Sequence, residues 1–168
     1  NCLLSQSYGQ TECSPVATGL LHRDHLNTGP YGSKIGTVGR AVSTVEIDIR
    51  SPENHSLPTN SIGEVVIRGP NVMLGYWKNQ QATQQSIQNG WLHTGDMGFL
   101  DDDGFLSIVD RIKDMIITGG ENVYSAEVEN IIGQYEGIDS CAVIGIPDVE
   151  WGEKVHAILL LEAVDHIR

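Results

Sequence analysis

The stretch Asp110-Arg111-Ile112-Lys113-Asp114-Met115-Ile116-Ile117-Thr118-Gly119-Gly120-Glu121-Asn122 separates two kinds of sequence. Within it, Met115 to Thr118 reads as a short strand stopped by Gly119-Gly120. Downstream, Ser125 is placed to cap a helix reaching about Tyr135. Glu127 and Glu129 fall in its first turn, where the positive helix end favours acids. Val128, Ile131 and Ile132 recur at helical spacing and share one face. Cys141 to Ile146 and Val155 to Leu161 follow as two apolar strands. The order strand, helix, strand, strand predicts a small α/β unit.

Upstream the pattern is strand-rich with short connections. Cys2-Leu3-Leu4 reads as a strand running into the polar loop Ser7 to Glu12. Val45-Glu46-Ile47-Asp48-Ile49 alternates apolar and acidic residues, as a half-buried strand does. Ser51 to Ser61, rich in Pro, Asn and Ser, is a turn region. Gly63 to Gly69 is a second strand closed by Pro70. Gln80 to Gln88 suits a short surface helix. Met97 to Leu100 and Phe105 to Val109 flank Asp101-Asp102-Asp103-Gly104, a hairpin turn in which the Asp-Gly step accepts positive φ. The fold class expected is therefore mixed α+β. A strand-rich, distorted barrel-like part spans residues 1–112 and a small α/β domain spans 113–168.

Composition limits the functions. The 168 residues are 40% hydrophobic and 19% charged, a globular mix. Lys plus Arg number 10 against 22 Asp plus Glu, for a formal net charge of -12. A general nucleic-acid-binding face needs clustered cations and is excluded on that ground. An anionic small molecule would have to be held by local groups. No apolar run is long enough for a transmembrane helix, while peripheral contact with a membrane stays open, as does the oligomeric state. Cys2, Cys13 and Cys141 form no Cys-x-x-Cys pair, which argues against a disulfide framework and for a reducing, cytoplasmic setting. The chain opens without Met on an apolar run, and both ends read as cut from something larger.

Three constellations carry chemistry. Tyr8-Gly9-Gln10-Thr11-Glu12 offers a ring for a base, a hydroxyl for a phosphate and a carboxylate for a hard cation such as magnesium; alone it reads more readily as a solvated loop with one packed tyrosine. His93-Thr94-Gly95-Asp96 presents a carboxylate after a glycine turn, suited to a pair of ribose hydroxyls or simply to backbone donors of the turn. Arg111 follows beyond one hairpin and can fold back toward Asp96, as a ligand partner or as a surface ion pair. Gly119-Gly120 permits close approach of a narrow ligand or of another backbone. His22-Arg23-Asp24-His25 has His-x-x-His spacing but no partner Cys or Glu, so it is a weak metal signal.

Taken together and in order, these motifs resemble the adenylate-forming superfamily of acyl-CoA synthetases, firefly-type luciferases and peptide-synthetase adenylation domains. The resemblance rests on Ser7 to Glu12, Gly63 to Trp77, Gly90 to Asp96 and Asp110 to Tyr124, and covers essentially the whole chain. It implies that the strand-rich part is the end of a large adenylation domain and that the α/β part begins a small mobile domain. It implies roles: Tyr8 against adenine in a Tyr8-Gly9-Gln10 nucleotide loop, Thr11 on the α-phosphate, Glu12 on magnesium, Asp96 with Arg111 on the ribose, and Ile108 beside the adenine. Thr11 and Glu12 would act in catalysis. Lys113 matches the hinge of the small domain, and Gly119 and Gly120 match the segment lining the CoA channel. Trp91, Tyr76 and Trp77 match family positions and read as packing residues.

The stretch from Lys113 to Asn122 looks like the CoA-ligase branch, most of all medium- and long-chain fatty acyl-CoA synthetases. The implied substrates and cofactors are a carboxylic acid, ATP, Mg2+ and CoA. Aryl-CoA ligases and luciferases share much of the pattern. The family's glycine-rich phosphate loop lies upstream of the Tyr-Gly-x-Thr-Glu motif, and its catalytic lysine lies late in the small domain. Lys34, Lys78, Lys113 and Lys154 do not match that setting. The chain is thus expected to be an enzyme fragment, inactive when isolated, with a non-catalytic nucleotide-binding module of the same ancestry as the alternative. An isolated fragment is also expected to expose Leu3, Leu4, Val65 and Ile67.

Overall fold

The computed structural model describes residues 2–27 and 31–161. The chain divides into two compact units, Asn1–Ile108 and Val109–Arg168. The division follows Ile108, whereas the sequence alone places it after Ile112.

In the first unit, β1 (Gln6–Tyr8), β2 (Thr18–Leu20) and β3 (Arg40–Ala41) form an antiparallel sheet in that order. Cys2-Leu3-Leu4 is not part of β1: the strand begins at Gln6, and Leu3 and Leu4 are exposed. An apolar triplet suits a strand, but here no neighbouring ladder takes its backbone. A second sheet holds β4 (Glu46–Arg50), β5 (Gly63–Arg68), β6 (Ile87–Gln88) and β7 (Trp91–Leu100), ordered β4-β5-β7-β6, with β8 (Leu106–Arg111) also on β7. β4 pairs antiparallel to β5 with Ile47 opposite Ile67 and Ile49 opposite Val65.

Val65, Val66 and Ile67 are all fully buried. Successive strand residues face opposite ways, so β5 is covered on both faces. The expected exposure of Val65 and Ile67 is overturned for that reason. Val65 packs with Ile49 and Leu106, while Ile67 packs with Val45, Leu92, Cys13 and Ala17. Burying such a side chain stabilises by about 1.5–3 kcal/mol. Trp91 is buried as expected, with the guanidinium groups of Arg50 and Arg68 4.7 and 4.4 Å from its ring centre.

The turn between β7 and β8 follows its sequence. Gly104 N–H donates to the Asp101 carbonyl at 2.9 Å. The Asp101 carboxylate accepts from the Asp103 and Phe105 N–H groups. The surface helix α1 (Gln80–Ser86) is capped by Asn79, whose Oδ1 accepts from Ala82 N–H at 3.0 Å.

The second unit contains β9 (Ile116–Thr118), β10 (Glu121–Val123), α2 (Ser125–Ile132), β11 (Ile138–Asp148) and β12 (Gly152–Leu161). Its sheet order is β10-β9-β12-β11, and every described pairing is antiparallel. Ser125 is not the cap of α2 but its first residue, and the helix stops at Ile132 rather than near Tyr135. The capping oxygen comes from a distance: Asp110 Oδ2 accepts from Ser125 Oγ at 2.9 Å and from Ala126 N–H at 3.4 Å. The Glu129 side chain reaches from α2 to accept from Val143 N–H at 2.8 Å, joining α2 to β11. Ile131 is exposed and does not share the packed face of α2. Among the described residues no helix is long and apolar enough to cross a membrane, and the three cysteines are free thiols.

Candidate functional site

Two sequence-distant motifs meet in the first unit. Tyr8 ends β1, and Asp96 lies in the middle of β7 with only 8% of its surface exposed. Tyr8 OH donates to Asp96 Oδ2 at 2.6 Å. Gln10 Nε2 donates to the Thr94 carbonyl at 3.0 Å and reaches Asp96 Oδ2 at 3.4 Å. Burial of the Tyr8 phenol, then its hydrogen bond to Asp96 and the charge there, push its ionisation well above the ordinary tyrosine range. Tyr8 therefore stays a neutral donor at any physiological pH.

The backbone around Tyr8 is tightly folded. Tyr8 carbonyl accepts from Ala17 N–H at 2.8 Å. A Cβ on Gly9 would stand 1.8 Å from the Pro15 carbonyl oxygen, so only glycine fits there. Residues Thr11–Cys13 then make a single tight helical turn. Thr11 is exposed, and buried Cys13 anchors the turn through Gln10.

Glu12 is half-buried and held twice by the segment after β5. Its carbonyl accepts from Met73 N–H at 2.8 Å. Its Oε1 accepts from Tyr76 OH at 2.8 Å. That hydrogen bond is the main reason the Tyr76 hydroxyl ionises above its ordinary value. Tyr76, expected to pack, thus touches the candidate residue Glu12, a contact that nothing in its local sequence reports. Trp77, also expected to pack, is 88% exposed.

Magnesium and a nucleotide are implied by the motifs, and the donor set suits them. Glu12 offers a hard carboxylate oxygen, and magnesium typically takes one or two carboxylates with the rest from phosphates and water. No group of three or more His, Cys, Asp or Glu able to hold a metal occurs among the described residues. His22 and His25 lie in one short helical turn, and they too belong to no such group.

Ile108 is half-buried and packs beside Ile49, Val65 and Leu106. In the second unit, Arg111 is exposed at the end of β8, its N–H donating to Asp110 Oδ1 at 2.8 Å. Lys113 borders an open cleft of about 510 Å³ with Asp110, Asp114, Glu129 and Glu153. Gly119 and Gly120 make the β9–β10 turn, at φ of 60° and 87°. A Cβ on Gly119 would come within 2.8 Å of the Trp151 ring, and Gly119 N–H donates to the Trp151 carbonyl.

Comparison with known proteins gives one consistent result. Residues 1–77 match the family described as AMP-binding enzyme. Feruloyl-CoA synthase of an Amycolatopsis species is 43% identical over 155 residues, covering 92% of this chain and 30% of the relative. A long-chain-fatty-acid–CoA ligase of Escherichia coli is 40% identical over 154 residues, covering 90% of this chain and 26% of the relative. Among solved structures, o-succinylbenzoate CoA synthetase of Bacillus subtilis, in complex with its acyl-adenylate intermediate OSB-AMP, superposes with a TM-score of 0.84 at 38% identity, over 95% of this chain and 31% of that one. The same enzyme with ATP and magnesium ion gives a TM-score of 0.81 at 38% identity, over 94% of this chain and 31% of that one. The chain spans under a third of the length of these relatives.

Proposed function

We propose that this chain, whose residues 1–77 match the AMP-binding enzyme family, forms part of an AMP-forming acyl-CoA synthetase. In the proposed reaction a carboxylate attacks the α-phosphate of ATP to give acyl-AMP and pyrophosphate. CoA thiolate then displaces AMP. One observation carries the reading: Tyr8 OH and Asp96 Oδ2, from motifs far apart in sequence, stand 2.6 Å apart with Gln10 beside them.

In this reading the Asp96 carboxylate receives the ribose hydroxyls, with Tyr8 fixing its orientation and Arg111 assisting. The Tyr8 ring and Ile108 border the adenine, and Gly9 and Gln10 shape the nucleotide loop. Thr11 contacts the α-phosphate. Glu12, steadied by Tyr76, holds magnesium, which neutralises phosphate charge when bound. Lys113 serves as the hinge of the small domain, and Gly119 with Gly120 lines the CoA channel. The setting is cytoplasmic, where ATP and CoA are supplied.

The carboxylic acid is proposed to be a fatty acid, supported by the stretch Lys113 to Asn122 and by the resemblance to long-chain ligases. An aryl acid is the second reading, favoured by the 43% identity to feruloyl-CoA synthase. The chain alone is proposed to be inactive, so the test uses the full-length protein. A panel of fatty and aryl acids is assayed for AMP release with and without CoA. Acid-dependent AMP release is expected, and Glu12→Ala or Asp96→Ala should lower adenylate formation about a hundredfold or more, since each removes charge or orientation at the reacting phosphate. Near-normal pyrophosphate release from either variant removes the site assignment. Nucleotide binding without AMP release from any acid favours the non-catalytic module.

A further inference from the structure

The pairing of β5 with β7 is not regular. Glu64 stands opposite Met97 and Val66 opposite His93, so Val65 alone faces Thr94, Gly95 and Asp96. The motif that carries the site carboxylate is therefore a bulge pushed out of β7. Gly95 has φ of 74°, the left-handed region that such an excursion needs and that other residues resist.

The bulge is closed from below by side chains. Glu64 Oε1 accepts from Gly95 N–H at 3.1 Å, and Glu64 Oε2 lies 2.7 Å from His93 Nδ1. With Glu64 as a carboxylate, which only accepts, this contact is a hydrogen bond in the tautomer of His93 that carries its proton on Nδ1. One carboxylate thus clamps the residues on either side of Thr94. Thr94 adds a second brace: its Oγ1 donates to the Val65 carbonyl at 2.7 Å and accepts from Asp96 N–H at 3.1 Å. The side chains of Glu64 and His93 are 21% and 13% exposed, so the clamp is largely shielded from water. There, a hydrogen bond to a charged acceptor is stronger and its loss more costly than at the surface.

From this geometry we infer that Glu64 is a positioning residue for nucleotide binding: through Gly95 N–H and His93 it fixes the bulge that aims the Asp96 carboxylate. The inference rests on the reading of Asp96 as the ribose ligand. Glu64 does not touch the nucleotide. It acts by removing the alternative backbone arrangements that a one-against-three bulge would otherwise sample.

The test measures AMP and ATP affinity by calorimetry in the full-length protein, for Glu64→Ala, Glu64→Gln, Asp96→Ala and the Glu64→Ala/Asp96→Ala double variant. Circular dichroism of each variant reports folding. Glu64→Ala should weaken nucleotide binding about 10- to 100-fold, the range expected when a shielded charge-assisted hydrogen bond is lost. Glu64→Gln keeps an oxygen for Gly95 N–H and should recover part of that loss. In the Asp96→Ala background, Glu64→Ala should have almost no further effect, because there is no longer a carboxylate to aim. A general loss of structure does not produce that non-additivity. The inference is overturned if Asp96→Ala weakens binding but Glu64→Ala leaves it intact, or if the two effects simply add. If Asp96→Ala itself leaves affinity unchanged, the ribose-ligand reading fails, and this inference with it. Should Glu64→Ala fail to fold, the Glu64→Gln variant carries the same comparison: additivity with Asp96→Ala counts against the clamp.

Discussion

Strands β5 and β12 are both apolar in sequence, yet they differ in what lies over them. In β5, Val65, Val66 and Ile67 are fully buried between β4 and β7. In β12, Ile158, Leu159 and Leu160 are 53%, 46% and 58% exposed. β12 is paired along its length with β11, but its backbone register with β9 is limited to Gly152 opposite Thr118. β5 is laddered on both edges, by β4 and β7, whereas β12 is laddered along its length on one edge only. An apolar run reports neither the second ladder nor the layer over each face. β5 combines core and site, because its Glu64 and Val65 hold the bulge of β7.

The largest effect should therefore come from β5. Ile67→Ala removes a side chain with no exposed surface and leaves a cavity among Val45, Leu92 and Cys13. The expected cost is about 2–5 kcal/mol, read from urea unfolding of the full-length protein. Amide exchange should show protection lost throughout β4, β5 and β7. A cost below about 1 kcal/mol would mean that the core around β5 relaxes, and the contrast with β12 would fail.

A smaller effect is expected in the second unit, at the start of α2. Asp110→Ala deletes the acceptor for Ser125 Oγ and Ala126 N–H. Loss of a cap of this kind costs about 0.5–2 kcal/mol. Ser125→Ala should cost less, since Ala126 N–H keeps its Asp110 partner. The reverse order in thermal unfolding would restore Ser125 as the cap.

That pair of variants also marks where sequence reading ends. Periodicity exposed β4 and β5, because alternation at Val45 to Ile49 and the run at Val65 to Ile67 are properties of neighbours in the chain. The β7–β8 turn was legible from Asp101 to Gly104 for the same reason. The Asp110 cap was not, because its oxygen arrives from β8. Leu3 and Leu4 looked like a strand because their side chains are apolar, while strand formation also needs a partner ladder. At the site, Tyr8, Gln10 and Asp96 were legible through ordered motifs, and the fold joins them. Tyr76 and Glu64 were not: their contacts depend on the course of the chain after β5 and on the bulge register.

A weaker contribution is expected from Lys34, whose Nζ lies 2.7 Å from Asp101 Oδ2 and 2.9 Å from Asp103 Oδ2. Partial burial pushes the Asp101 carboxyl up, but Lys34 and the backbone donors of the turn outweigh it and hold it below the ordinary carboxylate value. The hydrogen bonds to Asp101, then Asp103, raise Lys34 above the ordinary lysine value. Asp101 thus stabilises above the unfolded carboxylate range, about pH 4, and the benefit fades as pH falls through its lowered value. Lys34 stabilises below about pH 10, and its benefit fades as pH rises through its raised value. The Tm difference between wild type and Lys34→Met should be flat between these limits and shrink toward either extreme. A difference that peaks inside the neutral range would assign it to some other group.

The smallest effect belongs to β12. Leu160→Thr keeps a strand-forming residue and removes apolar surface that is more than half exposed. Substitutions at such positions usually change stability by no more than about 0.5 kcal/mol, and urea unfolding of the full-length protein should show a change of that size. The variant bears directly on the contrast with β5. If Leu160→Thr costs as much as Ile67→Ala, β12 lies under a further layer in the full-length protein, and its exposure among residues 2–27 and 31–161 belongs to this part of the chain alone. If the change is small, the two strands differ in kind: β5 holds the core and braces the site, while β12 serves mainly as a backbone partner for β11.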